Sequence, residues 1–193
     1  MIVRYHLGVI HSFEGFMRLQ HILVLFFVVL SSAVNAASKQ EIDTDAGYAL
    51  KAFYDLSPGN KELASKASGM LIFPTVMKAG FVVGGEYGEG VLQVAGKPVE
   101  YYSIASASFG LQIGAQARSE VILFMDKDAL ENFRAHDGWS VGVDGSVAVV
   151  DMGAGKDINT ETAKEPIIAF IFSNKGLMGN LSLEGSKFSK ISR

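Results

Sequence analysis

The 193-residue sequence contains no cysteine and is poor in other residues that carry out catalysis. It can therefore form no disulfide, thiol nucleophile or lipid-modified cysteine, and core burial alone must hold the fold. Of the four histidines, only His136 follows residue 36, and no G-x-S-x-G motif is present. Neither a histidine-based zinc site nor a serine hydrolase is predicted. We expect no metal, no cofactor and no enzymatic activity.

An excess of basic residues is also missing. The formal net charge is −3. It becomes −4 without residues 1–36, which contain two basic residues and one acidic residue. Proteins that bind nucleic acids need clustered positive charge to neutralise phosphates. No nucleic-acid partner is therefore predicted.

The N-terminal 36 residues resemble a leader rather than part of the fold. Ile22–Leu30 is an unbroken apolar run that follows Arg18 and precedes small residues ending at Ala36. This order is typical of a secretory signal peptide, and the run is shorter than the roughly 20 residues of a membrane span. We predict cleavage after Ala36 and an exported, periplasmic or envelope protein. An uncleaved anchor and a true start at Met17 both stay open.

Residues 37–193 are predicted to form one domain, because no linker or low-complexity segment divides them. Ser38–Leu56 has apolar residues at helical spacing and is predicted to be a helix, followed by a short helix at Asn60–Ala67. From Met70 onward, short β-branched and aromatic runs alternate with turn residues, which indicates antiparallel strands. The predicted class is α+β, with a small N-terminal helical layer on a curled, barrel-like sheet.

Two further hairpins are predicted near the C-terminus. Asp144-Gly145 lies between two apolar runs, 139–143 and 146–150, a spacing typical of a two-residue hairpin. Runs 167–173 and 177–184 are predicted to pair around the turn at 174–176.

Glycines are concentrated in the stretch GFVVGGEYGEGVL, residues 80–92. A dinucleotide-binding loop needs G-x-G-x-x-G between a strand and a helix. Here the order is reversed and a strand-like segment follows, so no helix N-terminus is available for a phosphate. We instead predict a hairpin between FVVGG and GVLQV, with structural glycines at its turn and at close backbone approaches: Gly84, Gly85, Gly88 and Gly90.

Three segments in the same order resemble the SYLF family, also called Ysc84 or DUF500. They are the glycine-rich stretch at 80–92, SFGLQIGAQ at 108–116, and KGLMGNLSLEGS at 175–186. The resemblance covers roughly residues 46–191. It implies a lipid-binding domain without catalysis. Eukaryotic relatives bind phosphoinositides through an N-terminal amphipathic helix and basic residues, some bind actin, and bacterial relatives are exported.

This resemblance suggests a few lysines for an anionic headgroup. By position these are Lys51 in the first helix and Lys175 beside Gly176, a further structural glycine. Apart from the resemblance, Lys187 and Lys190 belong to a C-terminal basic cluster that is either a weak contact for an anionic surface or a solvated tail. The first helix departs from the family pattern, since Asp43, Asp45 and Asp55 accompany Lys51. The expected partner is a phospholipid or membrane surface. The alternative is a protein-interaction module that binds an envelope or actin-regulator-like partner without lipid.

Overall fold

The computed structural model describes residues 37–80, 83–109, 114–152, 162–172 and 183–193. Its helices are α1 (Lys39–Leu56), α2 (Pro58–Lys66) and α3 (Lys127–Ala135), with a 3-10 turn at Thr162–Lys164. Its strands are β1 (Gly69–Gly80), β2 (Val83–Val94), β3 (Lys97–Phe109), β4 (Gly114–Phe124), β5 (Trp139–Ser140), β6 (Ala148–Asp151), β7 (Ile167–Phe172) and β8 (Lys187–Ile191). The predicted leader lies outside the described residues.

The described strands form one sheet in the order β5-β8-β3-β2-β1-β4-β7-β6. Neighbouring strands are antiparallel except β6 and β7, which are parallel. The sheet is curled like a half-barrel. The predicted α+β class, with helices on a curled antiparallel sheet, is confirmed.

Both faces of the sheet are covered because residues along the strands alternate between two apolar clusters. On one face, here called the α1 face, Ile72, Val91 and Phe170 pack against Phe53 and its neighbours in α1. On the opposite α3 face, Phe133 of α3 packs among aromatic side chains such as Phe124. Each strand therefore contributes every second residue to each layer.

Helix α1 begins with a capping box that fixes where the chain enters the fold. The Ser38 hydroxyl accepts a hydrogen bond from the Glu41 amide, and the Glu41 carboxylate accepts one from the Ser38 amide. Such a box satisfies two amides that the helix itself cannot pair. The predicted helix at Ser38–Leu56 is confirmed to within one residue.

The glycine-rich stretch departs from its prediction. Val83–Val94 is one continuous strand, so Gly84, Gly85, Gly88 and Gly90 lie along β2 and do not form a turn between two strands. The strand that β2 pairs with changes register between Ile72 and Thr75, where a bulge brings its backbone close to β2. Glycine accommodates that approach because it has no side chain. Gly176 lies outside the described residues.

The predicted hairpin at Asp144-Gly145 is also wrong. A tight turn does form, since the Ser140 amide donates to the Asp144 carboxylate at 2.7 Å. The flanking strands nevertheless separate, because β5 pairs with β8 at one edge of the sheet and β6 pairs with β7 at the other. Burial of Trp139 beside Phe188 draws β5 to its edge. The other predicted pair, 167–173 with 177–184, falls largely outside the described residues.

Candidate functional site

Four exposed side chains lie in one row across the α1 face, beyond the part that α1 covers. Lys187 of β8 is opposite Ala105 of β3, Ala105 is opposite Tyr87 of β2, and Tyr87 is opposite Met77 of β1. Directly opposed residues of antiparallel strands project to the same face. We call these four residues the exposed row.

The row lies outside the reach of the helical layer. Val91 and Tyr101, which are buried under α1, are four residues from Tyr87 and Ala105 along β2 and β3. Four residues of strand correspond to about 13 Å. Small residues extend the surface on the other side, where Gly85 and Ala107 are opposed and both exposed. Met77 is 48% exposed and Tyr87 is 45% exposed, so two large side chains stand on a flat surface of small ones.

The acidic group nearest the row is neutralised. The Tyr87 hydroxyl donates to the Glu89 carboxylate at 2.7 Å, and Glu89 forms an ion pair with Arg193. Partial burial, followed by the bond to Glu89, raises the pKa of Tyr87. Tyr87 is therefore neutral and its ring is held in place. No net negative charge faces the row from this side.

Lys187 provides positive charge at the β8 end of the row. Its side chain is exposed and passes over Gly138, where an added Cβ would lie 3.1 Å from the lysine Nζ. Within the described residues, Lys187 has no ion-pair partner. An unpaired ammonium beside an exposed apolar surface is suited to an anionic headgroup.

The other predicted lysines do not join it. Lys51 forms an ion pair with Asp55 one helical turn away, 2.6 Å between Nζ and Oδ2. Lys190 binds Glu100 at 3.1 Å and lies over the Tyr102 ring on the α3 face. Lys175 lies outside the described residues. The structure therefore does not gather the three described lysines into one site.

Glu100 is the centre of the ion-pair group that engages Lys190. Its carboxylate receives two bonds from Arg134, each 3.0 Å, and a further bond from the Tyr102 hydroxyl at 2.8 Å. The bonds from Arg134, with those from Tyr102 and Lys190, lower the pKa of Glu100 to about 2. This group connects β3, α3 and β8. The role of Lys190 is therefore to stabilise the fold rather than to bind a ligand.

A second group of charges is buried on the α3 face and was not foreseen. Arg118 binds Glu86 at 2.6 Å and Glu120 at 2.7 Å, and Lys78 binds Glu86 at 3.0 Å. Burial would raise the pKa of Glu86, but Arg118 and Lys78 outweigh it and lower that pKa. Burial raises the pKa of Glu120, whose second oxygen has no hydrogen-bond partner. Glu86 and Glu89 both lie within β2 rather than beside a turn.

The described residues offer little for metal or acid-base chemistry. Among them, no three histidine or acidic side chains are grouped as metal ligands. His136 is exposed, and its Nδ1 lies 2.7 Å from the Asn132 carbonyl at the end of α3. In the described part of the chain, no helix combines the length and the apolar character that crossing a membrane requires.

Comparison with known proteins identifies a related family. Residues 105–192, which contain Ala105 and Lys187 of the exposed row, match the family model "Ysc84: Las17-binding protein actin regulator". Residues 105–192 are therefore similar to a Ysc84 domain. The predicted family resemblance is confirmed, whereas an exported bacterial branch is not tested by it.

Curated relatives carry the same domain name. The chain is 30% identical over 128 residues to "SH3 domain-containing YSC84-like protein 1" of Homo sapiens, and 29% identical to the Mus musculus protein. Each alignment covers 63% of this chain and 37% of the relative. The chain thus spans little more than a third of the length of these relatives, which continue well beyond the shared part.

Sequence reasoning found Lys187 but missed the rest of the exposed row. Tyr87 was hidden within the glycine-rich stretch, which was interpreted as a turn. In the structure, Gly85, Tyr87 and Glu89 alternate with buried residues, as expected for one continuous strand. This two-residue alternation was the sequence signal that could have indicated a strand here. Ala105 and Met77 become neighbours of Tyr87 only through strand register, which one sequence does not specify.

Proposed function

We propose that the chain binds anionic phospholipid through the exposed row, without catalysing a reaction. The observation that carries this proposal is the placement of unpaired Lys187 in register with exposed Ala105, Tyr87 and Met77. Large apolar side chains lose contact with water when they enter a bilayer interface, and tyrosine is favoured there. The ammonium of Lys187 would remain at headgroup level.

The proposal places the protein at a cell-envelope membrane after export. Its support is the sequence order of the first 36 residues, with the apolar run Ile22–Leu30 before small residues. The exposed row, which lies on the same face as α1 but beyond the part that α1 covers, would face the lipid. Binding would be weak per molecule, because a single unpaired lysine contributes about 1 kcal/mol near an anionic membrane.

A protein partner is the second candidate. It is favoured by the description of the matching family as Las17-binding, and by relatives that combine this domain with an SH3 domain. The same exposed row would then be a protein contact. Edge-strand addition is less favoured, because the outermost strands β5 and β6 are only two and four residues long.

Vesicle binding of the full chain tests the proposal. Vesicles of phosphatidylcholine alone and with phosphatidylglycerol are sedimented with the protein at two salt concentrations. We expect Met77→Ser with Tyr87→Ser to weaken binding to the anionic vesicles by about tenfold, since two apolar contacts are lost. Val99→Ser is the matched control, because Val99 is 44% exposed but lies six residues from Ala105 along β3.

A second pair of variants tests the electrostatic contribution to vesicle binding. Lys187→Gln should remove most of the salt-sensitive binding, about fivefold, whereas Lys51→Gln should change little because Lys51 already pairs with Asp55. Equal effects of the row variants and of Val99→Ser would contradict the proposed surface. Binding of neither vesicle would reject the lipid function and leave the protein partner.

A further inference from the structure

A cavity of about 300 Å³ lies between α2 and the turn that joins β2 to β3, at the end of the sheet away from the exposed row. Its floor and walls include the small or apolar residues Ala64, Ala67 and Met70. Polar side chains of Lys61, Ser65, Tyr54 and Gln93 complete the lining. The cavity therefore combines apolar and polar lining residues, as the site of an amphiphile does.

Three polar side chains of this cavity are hydrogen-bond donors, whereas the fourth, Ser65, already donates to the Glu62 carbonyl oxygen at 2.6 Å. Within the described part of the chain, no hydrogen bond or ion pair engages the side chains of Lys61, Tyr54 or Gln93. Burial raises the pKa of Tyr54, so its hydroxyl remains a donor at neutral pH. No carboxylate is among the described residues that line the cavity. The ammonium of Lys61, with the Tyr54 hydroxyl and the Gln93 amide as donors, therefore suits an anion better than a cation.

Lys61 differs from the lysine at the end of the same helix. Lys66 forms an ion pair with Glu62 at 2.7 Å, and both side chains are exposed. Among the described residues that line the cavity, Lys61 is the one that carries a charge. Its charge is thus available to a ligand, whereas that of Lys66 is already compensated.

The turn at the cavity wall has an unfavourable backbone conformation. Ala95 has φ +51° and Gly96 has φ +72°, the pattern of a two-residue type I′ turn. Asparagine is preferred at the first position of such turns because it tolerates the left-handed backbone, whereas alanine is strained there. Ala95 keeps a methyl group at the wall where the preferred side chain would be larger. Strain maintained beside a cavity is a feature of binding sites.

We infer that this cavity binds a phosphate or carboxylate carried on a short apolar group, with the anion at Lys61, Tyr54 and Gln93 and the apolar part on Ala64, Ala67 and Met70. The inference is independent of the proposed function, because none of these residues belongs to the exposed row. Two kinds of molecule carry an anion on a short apolar group: a membrane lipid, through its headgroup and first methylenes, and a soluble amphiphile.

Titration of the full chain with monomeric octyl phosphate tests the inference, with the backbone amide signals of Gly69 and Gly96 as the readout. We expect saturable shifts at both glycines and none with the uncharged octyl glucoside. Lys61→Gln should weaken binding roughly tenfold, because a charge-assisted bond is lost. Lys66→Gln, on the same helix, should leave the affinity unchanged.

Equal losses in Lys61→Gln and Lys66→Gln, or no saturable shift, would overturn the inference. Inorganic phosphate that binds as tightly as octyl phosphate would overturn the apolar part of it. Vesicles containing phosphatidic acid separate the two sources. If these vesicles displace octyl phosphate from the parent protein but not from Lys61→Gln, the natural ligand is a membrane headgroup. If they do not displace it from the parent protein, the natural ligand is a soluble amphiphile.

A pair of turn variants tests the cavity without risk to the fold. Ala95→Asn and Ala95→Gly should both raise the melting temperature, since both residues accept the left-handed backbone. Only Ala95→Asn adds volume at the wall, and we expect it to weaken octyl phosphate binding while Ala95→Gly does not. Unchanged binding in both variants would argue against a ligand at this wall.

Discussion

Gly90 occupies a position in β2 where no side chain fits. A Cβ there would lie 2.6 Å from the Phe73 ring and closer still to the Ile72 carbonyl oxygen. At Gly88 it would lie 2.8 Å from the Thr75 carbonyl oxygen. Both contacts involve the bulge of β1, whose backbone cannot move without breaking pairing on two sides. These two glycines are therefore required by the close approach of two strands.

Alanine substitutions measure that requirement. We expect Gly90→Ala to lower the free energy of unfolding by several kcal/mol, about what overpacking of a core costs. Gly47→Ala is the control, since a Cβ at Gly47 in α1 has no atom within 4 Å. It should stabilise the protein by about 0.5–1 kcal/mol. The free energy of unfolding of both variants is measured by urea unfolding. A Gly90→Ala protein as stable as the parent would show that β1 and β2 do not approach closely at Gly90.

At the scale of elements, the Glu100 group holds α3 and β8 to the sheet. Arg134 comes from α3, Lys190 from β8, and Glu100 itself from β3. The pKa of Glu100 is lowered to about 2 by the bonds from Arg134, Tyr102 and Lys190. A lowered carboxyl pKa contributes stability above the unfolded-state value near 4.5, and this contribution is lost as pH falls towards 2.

A pH series of unfolding measurements tests this connection. The parent protein should lose stability between about pH 4.5 and pH 2, and Glu100→Gln should show a smaller loss over the same range. Asp55→Asn is a suitable control, because its pair with Lys51 is exposed and contributes little. Identical pH profiles of Glu100→Gln and the parent would show that Glu100 does not link these elements.

Elements defined by local signals were predictable from the sequence, and those defined by distant contacts were not. Helix α1 has apolar residues at helical spacing and a capping residue, and α3 begins after Asp126, whose carboxylate accepts from the Ala129 amide. The Asp144-Gly145 hairpin failed because β5 and β6 are held by β8 and β7, which lie far away in sequence. Turn chemistry fixes a local reversal, whereas long-range burial decides which strands pair.

At the scale of the whole molecule, net charge and local charge have different roles. The chain is acidic overall, and most basic side chains discussed above are paired with carboxylates, as in the Lys51, Lys66 and Lys190 ion pairs. Lys61 and Lys187, which have no ion-pair partner within the described residues, lie far apart, one beside a cavity and one on the exposed row. Composition predicted the acidic total but not these two locations, because pairing depends on the folded chain.

The measurement that tests the central claim most directly is the environment of a single fluorescent label on the exposed row. Because the chain has no cysteine, Met77→Cys provides a unique attachment site, and Val99→Cys provides one of similar exposure at the other end of the sheet. With anionic vesicles we predict a blue-shifted emission for the label at 77 and no shift at 99. Equal shifts at both sites, or a shift at 99 alone, would contradict the assignment of the exposed row as the lipid-binding surface.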